Sequence, residues 1–489
     1  MQYQSLEFPD AVHMMSLKAF ILQLLIVVII LPAAVVSSSA QDGSSGYKND
    51  LKIFRRALET AHPNLYRFTS KERFQLVFDS IEQKVTNSTS QLEYFRLLSK
   101  VESLIREAHT YLQVPDGLAE YVRSQKLFPF DVLITDKTIV IRKSLCKDFA
   151  AYEGLEIAAI NGKRADHIIK HLAASTGLKS GYNNSALLNI LSFKRNFSFA
   201  YYYFLDTADT FHIEFEKQKG FVVAQGCLPS IGETFPEFPA EPDPPVSLKI
   251  DSLNETALIR ITTFAYWTVS FSKKDYIKTF SMYFDKIRRA GVKSLIIDVR
   301  NNRGGEELLA GELLTYLINS EFTLYTYMRS KILDFDLPEG NKIHLSKKDY
   351  IQTDSGYFKI KDEVLDKFTP KTKDHFNGKV YVLSNGGSRS ATNTMLSLIR
   401  GYQVGTIIGQ ESGGVCQDVD GRKRVDLKLP SSGIRLSFPI WSFKINSSSG
   451  DRCRGVIPDY FVDITSHDLI NDKDLELELA NRLIKVSHE

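Results

Sequence analysis

Two stretches of the chain repeat one pattern of apolar and polar positions. Ser294-Leu295-Ile296-Ile297-Asp298-Val299 and Val380-Tyr381-Val382-Leu383 are apolar runs of strand length. Each run gives way to a glycine pair, Gly304-Gly305 and Gly386-Gly387, and each then enters a helical pattern, over 306–318 and 394–399. Strand, glycine turn and helix, twice over, predict two βα units whose turns meet at one end of a sheet, where α/β proteins place their ligands. Residues 257–264 predict a further strand that opens the same region. Upstream, residues 47–115 carry helical periodicity broken at His62-Pro63-Asn64, and residues 127–225 form a mixed unit. Between 233 and 245 stand Pro236, Pro239, Pro242, Pro244 and Pro245, a composition that predicts an interdomain linker. The expected class is α/β in the α+β multidomain sense: a helical N-terminal subdomain, the mixed unit, the linker and a core over 246–489.

The first forty residues read as an address. Lys18 precedes an apolar run over 19–31, and Ser37-Ser38-Ser39-Ala40 closes it with small residues suited to signal peptidase. The alternative is an uncleaved membrane segment over 19–36, the membrane's only part in the reading. Either way the folded part is exported, to the periplasm or the cell exterior.

Composition narrows the classes. A length of 489 residues suggests several domains, and 43% hydrophobic with 11% aromatic residues excludes a disordered chain. With 61 basic against 58 acidic residues, and no basic stripe, nucleic acid is not an expected partner. Cys146, Cys227, Cys416 and Cys453 show no C-x-x-C spacing, so no metal site is expected from them. In an oxidising compartment Cys416 and Cys453 could tether two loops, with free thiols as the alternative. His167 and His171 share a helix face, but no acid follows His167 in a zincin pattern, so both are read as surface residues.

The chemistry-bearing segment is Ser384-Asn385-Gly386-Gly387-Ser388-Arg389-Ser390-Ala391. The glycines permit a tight turn, and Ser388 or Ser390 then sits where helix N-terminal amides favour negative charge. A hydroxyl there can attack an acyl carbon while nearby N–H groups hold the oxyanion; the plain alternative is a helix-capping serine. Gly304-Gly305 is likewise either turn chemistry or an amide brought close to a carbonyl.

Several ordered motifs over roughly 250–470 resemble one family. Asp298-Val299-Arg300-Asn301-Asn302-Arg303-Gly304-Gly305 is similar to the D-L-R-x-N-x-G-G signature of the tail-specific, or C-terminal processing, serine peptidases. Ser388-Arg389-Ser390-Ala391 resembles their T-x-S-A, the run 406–414 their glycine-rich loop, and Gly455-Val456-Ile457-Pro458-Asp459 their closing G-V-x-P-D. The resemblance implies a crotonase-like ββα core, Ser390 as nucleophile, and amides of Gly304 or Gly305 and of Ala391 as oxyanion donors. Where the lysine-dependent branch supplies its base, this chain has Val415. Glu107-Ala108-His109-Thr110-Tyr111 resembles the histidine segment of the tricorn-like branch, which implies His109 as general base. For an orienting carboxylate the resemblance points to Asp451, with Glu411 as fallback. Residues 154–163 resemble a PDZ-like hairpin, suited to capturing a peptide or unfolded protein substrate. No metal or organic cofactor is implied. Two other readings stay open: a non-catalytic ligand-binding protein on the same scaffold, and a crotonase-like acyl-thioester enzyme.

Overall fold

The computed structural model describes residues 43–447, 450–465, 468 and 473–488; the address read over residues 1–40 lies outside the described residues. Three helices come first, Gly43–Ala61, Lys71–Lys84 and Gln91–Ile105. Ser70 caps the second, and Ser90 with Glu93 forms a reciprocal capping box on the third. Their apolar stripes, including Phe54, Leu58, Tyr94 and Leu98, enter a core shared with Val425, Leu436 and Phe438 from far down the chain. Buried Asp50 reinforces the join by accepting from the Ser431 and Ser432 N–H groups at 3.0 and 2.7 Å.

The middle region is an antiparallel sheet in the order Phe130–Ile134, Ile139–Ser144, Glu156–Ile160, Thr210–Phe215, Phe221–Gln225, with Lys163–Arg164 hairpinned onto Glu156–Ile160. Asn161 and Gly162 turn that hairpin at φ 49° and 72°. A disulfide joins Cys146 to Cys227, with Cα atoms 6.3 Å apart, and Cys416 and Cys453 are free. Of the two readings left open for Cys416 and Cys453, the free thiols are the one found. Leu127 pairs with Cys227 and the Ile139–Ser144 strand ends beside Cys146, so strand register brings those two thiols together. Residues 233–245 form a strap packed on the molecule. Phe235 lies against Phe199, Tyr203 and Phe204, and Glu241 pairs with Arg303 at 2.8 Å.

The core sheet runs Tyr460–Phe461, Thr406–Gly409, Lys379–Ser384, Ser294–Asp298, Thr256–Ile261, all parallel, with Val246–Asp251 antiparallel at one edge. Ser294–Asp298 is buried at every position, as expected of a parallel strand covered on both faces. Leu295 and Ile297 face helices Lys273–Arg289, Glu307–Leu314 and Ala391–Gly401, while Ile296 faces the helix Leu475–His488. A second sheet is built around the long strand Arg435–Ile445, paired with Asp418–Lys428, Tyr325–Ser330 and the short Tyr111–Gln113. That last pairing, Tyr111 opposite Ser437, brings the N-terminal region to the core. No helix among the described residues is long and apolar enough to cross a membrane.

Candidate active site

Ser390 lies between the strand Lys379–Ser384 and the helix Ala391–Gly401. The glycines before it are required by contact: a Cβ on Gly386 would meet the Ser185 carbonyl oxygen at 2.1 Å, and one on Gly387 the Asn301 Cα at 2.6 Å. Ser390 itself adopts φ 52° and ψ −124°, strained for a residue with a side chain and typical of a sharp nucleophile elbow. Its hydroxyl caps no helix N–H and opens onto a cleft of about 450 Å³. Ser388 has a different position. It is fully buried, donates to the Val299 carbonyl at 2.8 Å and accepts from the Asn385 N–H at 3.2 Å, pinning the two βα turns together.

His109 faces Ser390 across the cleft, with Nε2 at 3.3 Å from the serine Oγ. Its Nδ1 lies 2.7 Å from Glu107 Oε1, which also accepts the His109 backbone N–H at 2.9 Å. Behind this pair runs a row of buried polar groups. Glu107 Oε2 accepts from Thr110 Oγ1 at 3.1 Å, Thr110 Oγ1 lies 3.0 Å from His62 Nε2, and His62 Nδ1 accepts the Asn64 N–H at 3.2 Å. Because His62 Nδ1 is an acceptor, its proton belongs on Nε2, and the row gains a direction. His62 donates to Thr110, Thr110 to Glu107, and Glu107 is left to accept from His109 Nδ1–H. The His109 Nε2 lone pair then points at the serine hydroxyl. Burial takes the His62 pKa down to about 3, so it stays neutral. Burial alone would push the Glu107 carboxyl upward, but the adjacent His109 charge and hydrogen bonds outweigh it and hold the group below the usual carboxylate range. Arg424 fixes the loop from the opposite sheet by donating to the His109 carbonyl.

The remaining predicted residues divide. The Gly304 N–H donates to Asn302 Oδ1 at 2.9 Å, so it is not a free oxyanion donor; Asn302 is itself fixed by Thr392 Oγ1 at 2.8 Å. The N–H groups of Gly305 and Ala391 find no acceptor among the described residues. Gly305 reaches its place at φ 134°, and a Cβ there would meet the Ala265 nitrogen at 2.2 Å. Asp451 is not brought to His109. It is exposed and its Oδ1 accepts the Cys453 N–H at 2.8 Å, a local turn that corrects the expected orienting role. Glu411 is held by Arg454 and the Gly455 N–H. The carboxylate at the imidazole is Glu107, two residues before it, and that short spacing was the available signal. Val415 lines the cleft where a lysine would be required, and Lys423 points away to the His344 carbonyl. His167 is exposed, His171 bonds the Phe204 carbonyl, and among the described residues no cluster of acids, histidines and cysteines could hold a metal ion.

Residues 255–462 match the profile of peptidase family S41. The fold is similar to that of mature CPAF complexed with lactacystin, with TM-score 0.62 and 14% identity over 91% of this chain and 98% of that one. It is also similar to mature CPAF alone, with TM-score 0.59 and 14% identity over 90% and 97% of the two chains. No curated protein sequence matches the chain.

Proposed function

Since residues 255–462 match the model of peptidase family S41, we propose that this chain is an exported endopeptidase of the histidine-dependent branch, acting through an acyl-enzyme on Ser390. The observation that carries the mechanism is the 3.3 Å approach of His109 Nε2 to Ser390 Oγ, across 281 residues of sequence. As Ser390 Oγ attacks the scissile carbonyl carbon, His109 Nε2 takes its proton, and Glu107 stabilises the imidazolium. The carbonyl oxygen becomes an oxyanion held by the N–H groups of Gly305 and Ala391. Collapse breaks the C–N bond, and His109 returns the proton to the departing amine. A water molecule, deprotonated by the same nitrogen, then releases the acyl group.

The substrate is a peptide or an unfolded protein segment. Phe221–Gln225 is an edge strand of the middle sheet with exposed Phe221 and Val223, which favours capture of an extended peptide by strand addition. Export is supported by the leader pattern before residue 41 and by the Cys146–Cys227 disulfide, a bond that persists in oxidising compartments. A fluorophosphonate serine probe tests the mechanism: it should label Ser390 in the wild type and nothing in Ser390→Ala. Label on Ser388, or peptide cleavage retained by Ser390→Ala, would overturn it.

A further inference from the structure

Five arginines line the cleft: Arg67, Arg106, Arg303, Arg389 and Arg422. Three are neutralised, Arg67 by Asp420 at 2.9 Å, Arg303 by Glu241 at 2.8 Å and Arg422 by Glu307 at 2.5 Å. Arg106 lies 4.7 Å over the Tyr182 ring and donates to the Gly181 carbonyl at 3.4 Å. Its Nε, like that of Arg389, is buried without an acceptor. Arg389 differs in that no carboxylate or carbonyl among the described residues meets any part of its guanidinium.

The surroundings of Arg389 are built to hold it there. Its stem lies against Gly413, where a Cβ would come within 2.5 Å of the arginine Cγ. Its Cζ sits 5.5 Å from the Phe238 ring, and Arg303 Cζ sits 4.3 Å from the same ring. The strap over 233–245 therefore supplies an aromatic ring that both guanidinium groups approach. Burial, and then the neighbouring Arg303 charge, lower the Arg389 pKa to about 10, which still leaves it cationic at neutral pH. The acids of the cleft cannot serve it: Glu107 is bound to His109, Glu306 to Lys273, Glu307 to Arg422 and Asp420 to Arg67. A half-buried, uncompensated cation is unfavourable in the empty cleft and is relieved by an anion.

We infer that Arg389 is a carboxylate-recognition site beside the nucleophile, so that the cleft selects peptides carrying a carboxylate next to the scissile bond. The inference rests on the peptidase mechanism above and adds the chemistry of its substrate. An acidic side chain and a free C-terminal carboxylate offer the same group, planar and bidentate toward a guanidinium.

Two peptide sets test it. One replaces Glu by Gln at each position around the cleavage point; the other compares a free C-terminus with its amide. In the wild type the carboxylate member of at least one set should show kcat/KM roughly ten- to a hundred-fold higher, the worth of a hydrogen bond to a charged group. Preference in the first set assigns an acidic side chain, and preference in the second the chain terminus. Arg389→Gln should collapse the ratio toward one, whereas Arg389→Lys should keep part of it and Arg106→Gln all of it. A wild-type ratio of one in both sets overturns the inference, and that measurement stands even if Arg389→Gln does not fold. A ratio that survives Arg389→Gln, or is lost in Arg106→Gln instead, overturns it too. Neutral and acidic peptides cleaved alike remove only the carboxylate site. Failure to cleave any peptide, with Ser390 unlabelled by the serine probe, removes the peptidase mechanism and the inference with it.

Discussion

The turn that carries Ser390 is made by neighbours in sequence, and the loop that carries His109 by neighbours in space. On the serine side a strand, two glycines and a helix follow within a few residues, although the contacts that leave no room for a Cβ at the glycines come from Ser185 and Asn301. On the histidine side the loop follows helix Gln91–Ile105 and is aimed by remote groups. Tyr111 pairs with Ser437, Arg424 holds the His109 carbonyl, and His62 and Thr110 fix Glu107 from behind. In the proposed mechanism the nucleophile is set by one elbow, whereas the base is aimed at it from a second sheet and a helical layer.

The largest test of that asymmetry is His109→Ala. Single-turnover acylation should fall by several orders of magnitude, as loss of a triad base does generally, while Ser390 keeps its elbow and thermal stability moves little. Normal acylation in this variant would mean that the two halves do not work together. Next is Glu107→Gln, which keeps shape and removes charge. We expect kcat to drop about 10²- to 10⁴-fold, with Asp451→Asn unchanged in the same assay. The reverse ranking would return the orienting role to Asp451.

His62→Phe probes the far end of the row through stability. Neutral in the fold down to about pH 3, His62 takes a proton near 6.5 once the chain unfolds. The unfolded state therefore binds more protons between those values, and the folded state loses stability as pH falls below ~6.5, by at most about 1.4 kcal/mol per pH unit. Urea midpoints at pH 7.5, 6 and 5 should show the wild type losing ground to His62→Phe on acidification; parallel curves would place His62 in contact with water. The smallest effect is reserved for Lys423→Ala. This exposed side chain reaches only the His344 carbonyl, and kcat/KM should stay within about two-fold, the ordinary range for a surface change. A dead Lys423→Ala enzyme would reinstate a lysine base.

What could be read from the chain follows the same division. The two βα units, the glycine pairs and the placement of Ser390 before a helix are local, and apolar runs and turn residues report them directly. His109 was reached only through its flanking residues, because nothing in its own segment reports a partner 281 residues away. The resemblance points to Asp451 rather than Glu107, since sequence does not show which carboxylate a tight turn folds back onto the imidazole. His62 was legible as the end of a helix and not as a buried donor. Gly304 and Gly305 look equivalent in the sequence; the Asn302 side chain distinguishes them by occupying one N–H and leaving the other free. The proline-rich segment suggested a spacer, yet Phe235, Phe238 and Glu241 give it contacts that composition does not encode.

The short strand Tyr111–Gln113 finally has a meaning in time. Its partner strand, Arg435–Ile445, lies more than 300 residues further along the chain, so a ribosome delivers His109 long before the sheet that aims it exists. A chain made only as far as residue 434 lacks the strand against which Tyr111–Gln113 pairs. The alignment therefore waits on a pairing between one strand near residue 111 and another near residue 440.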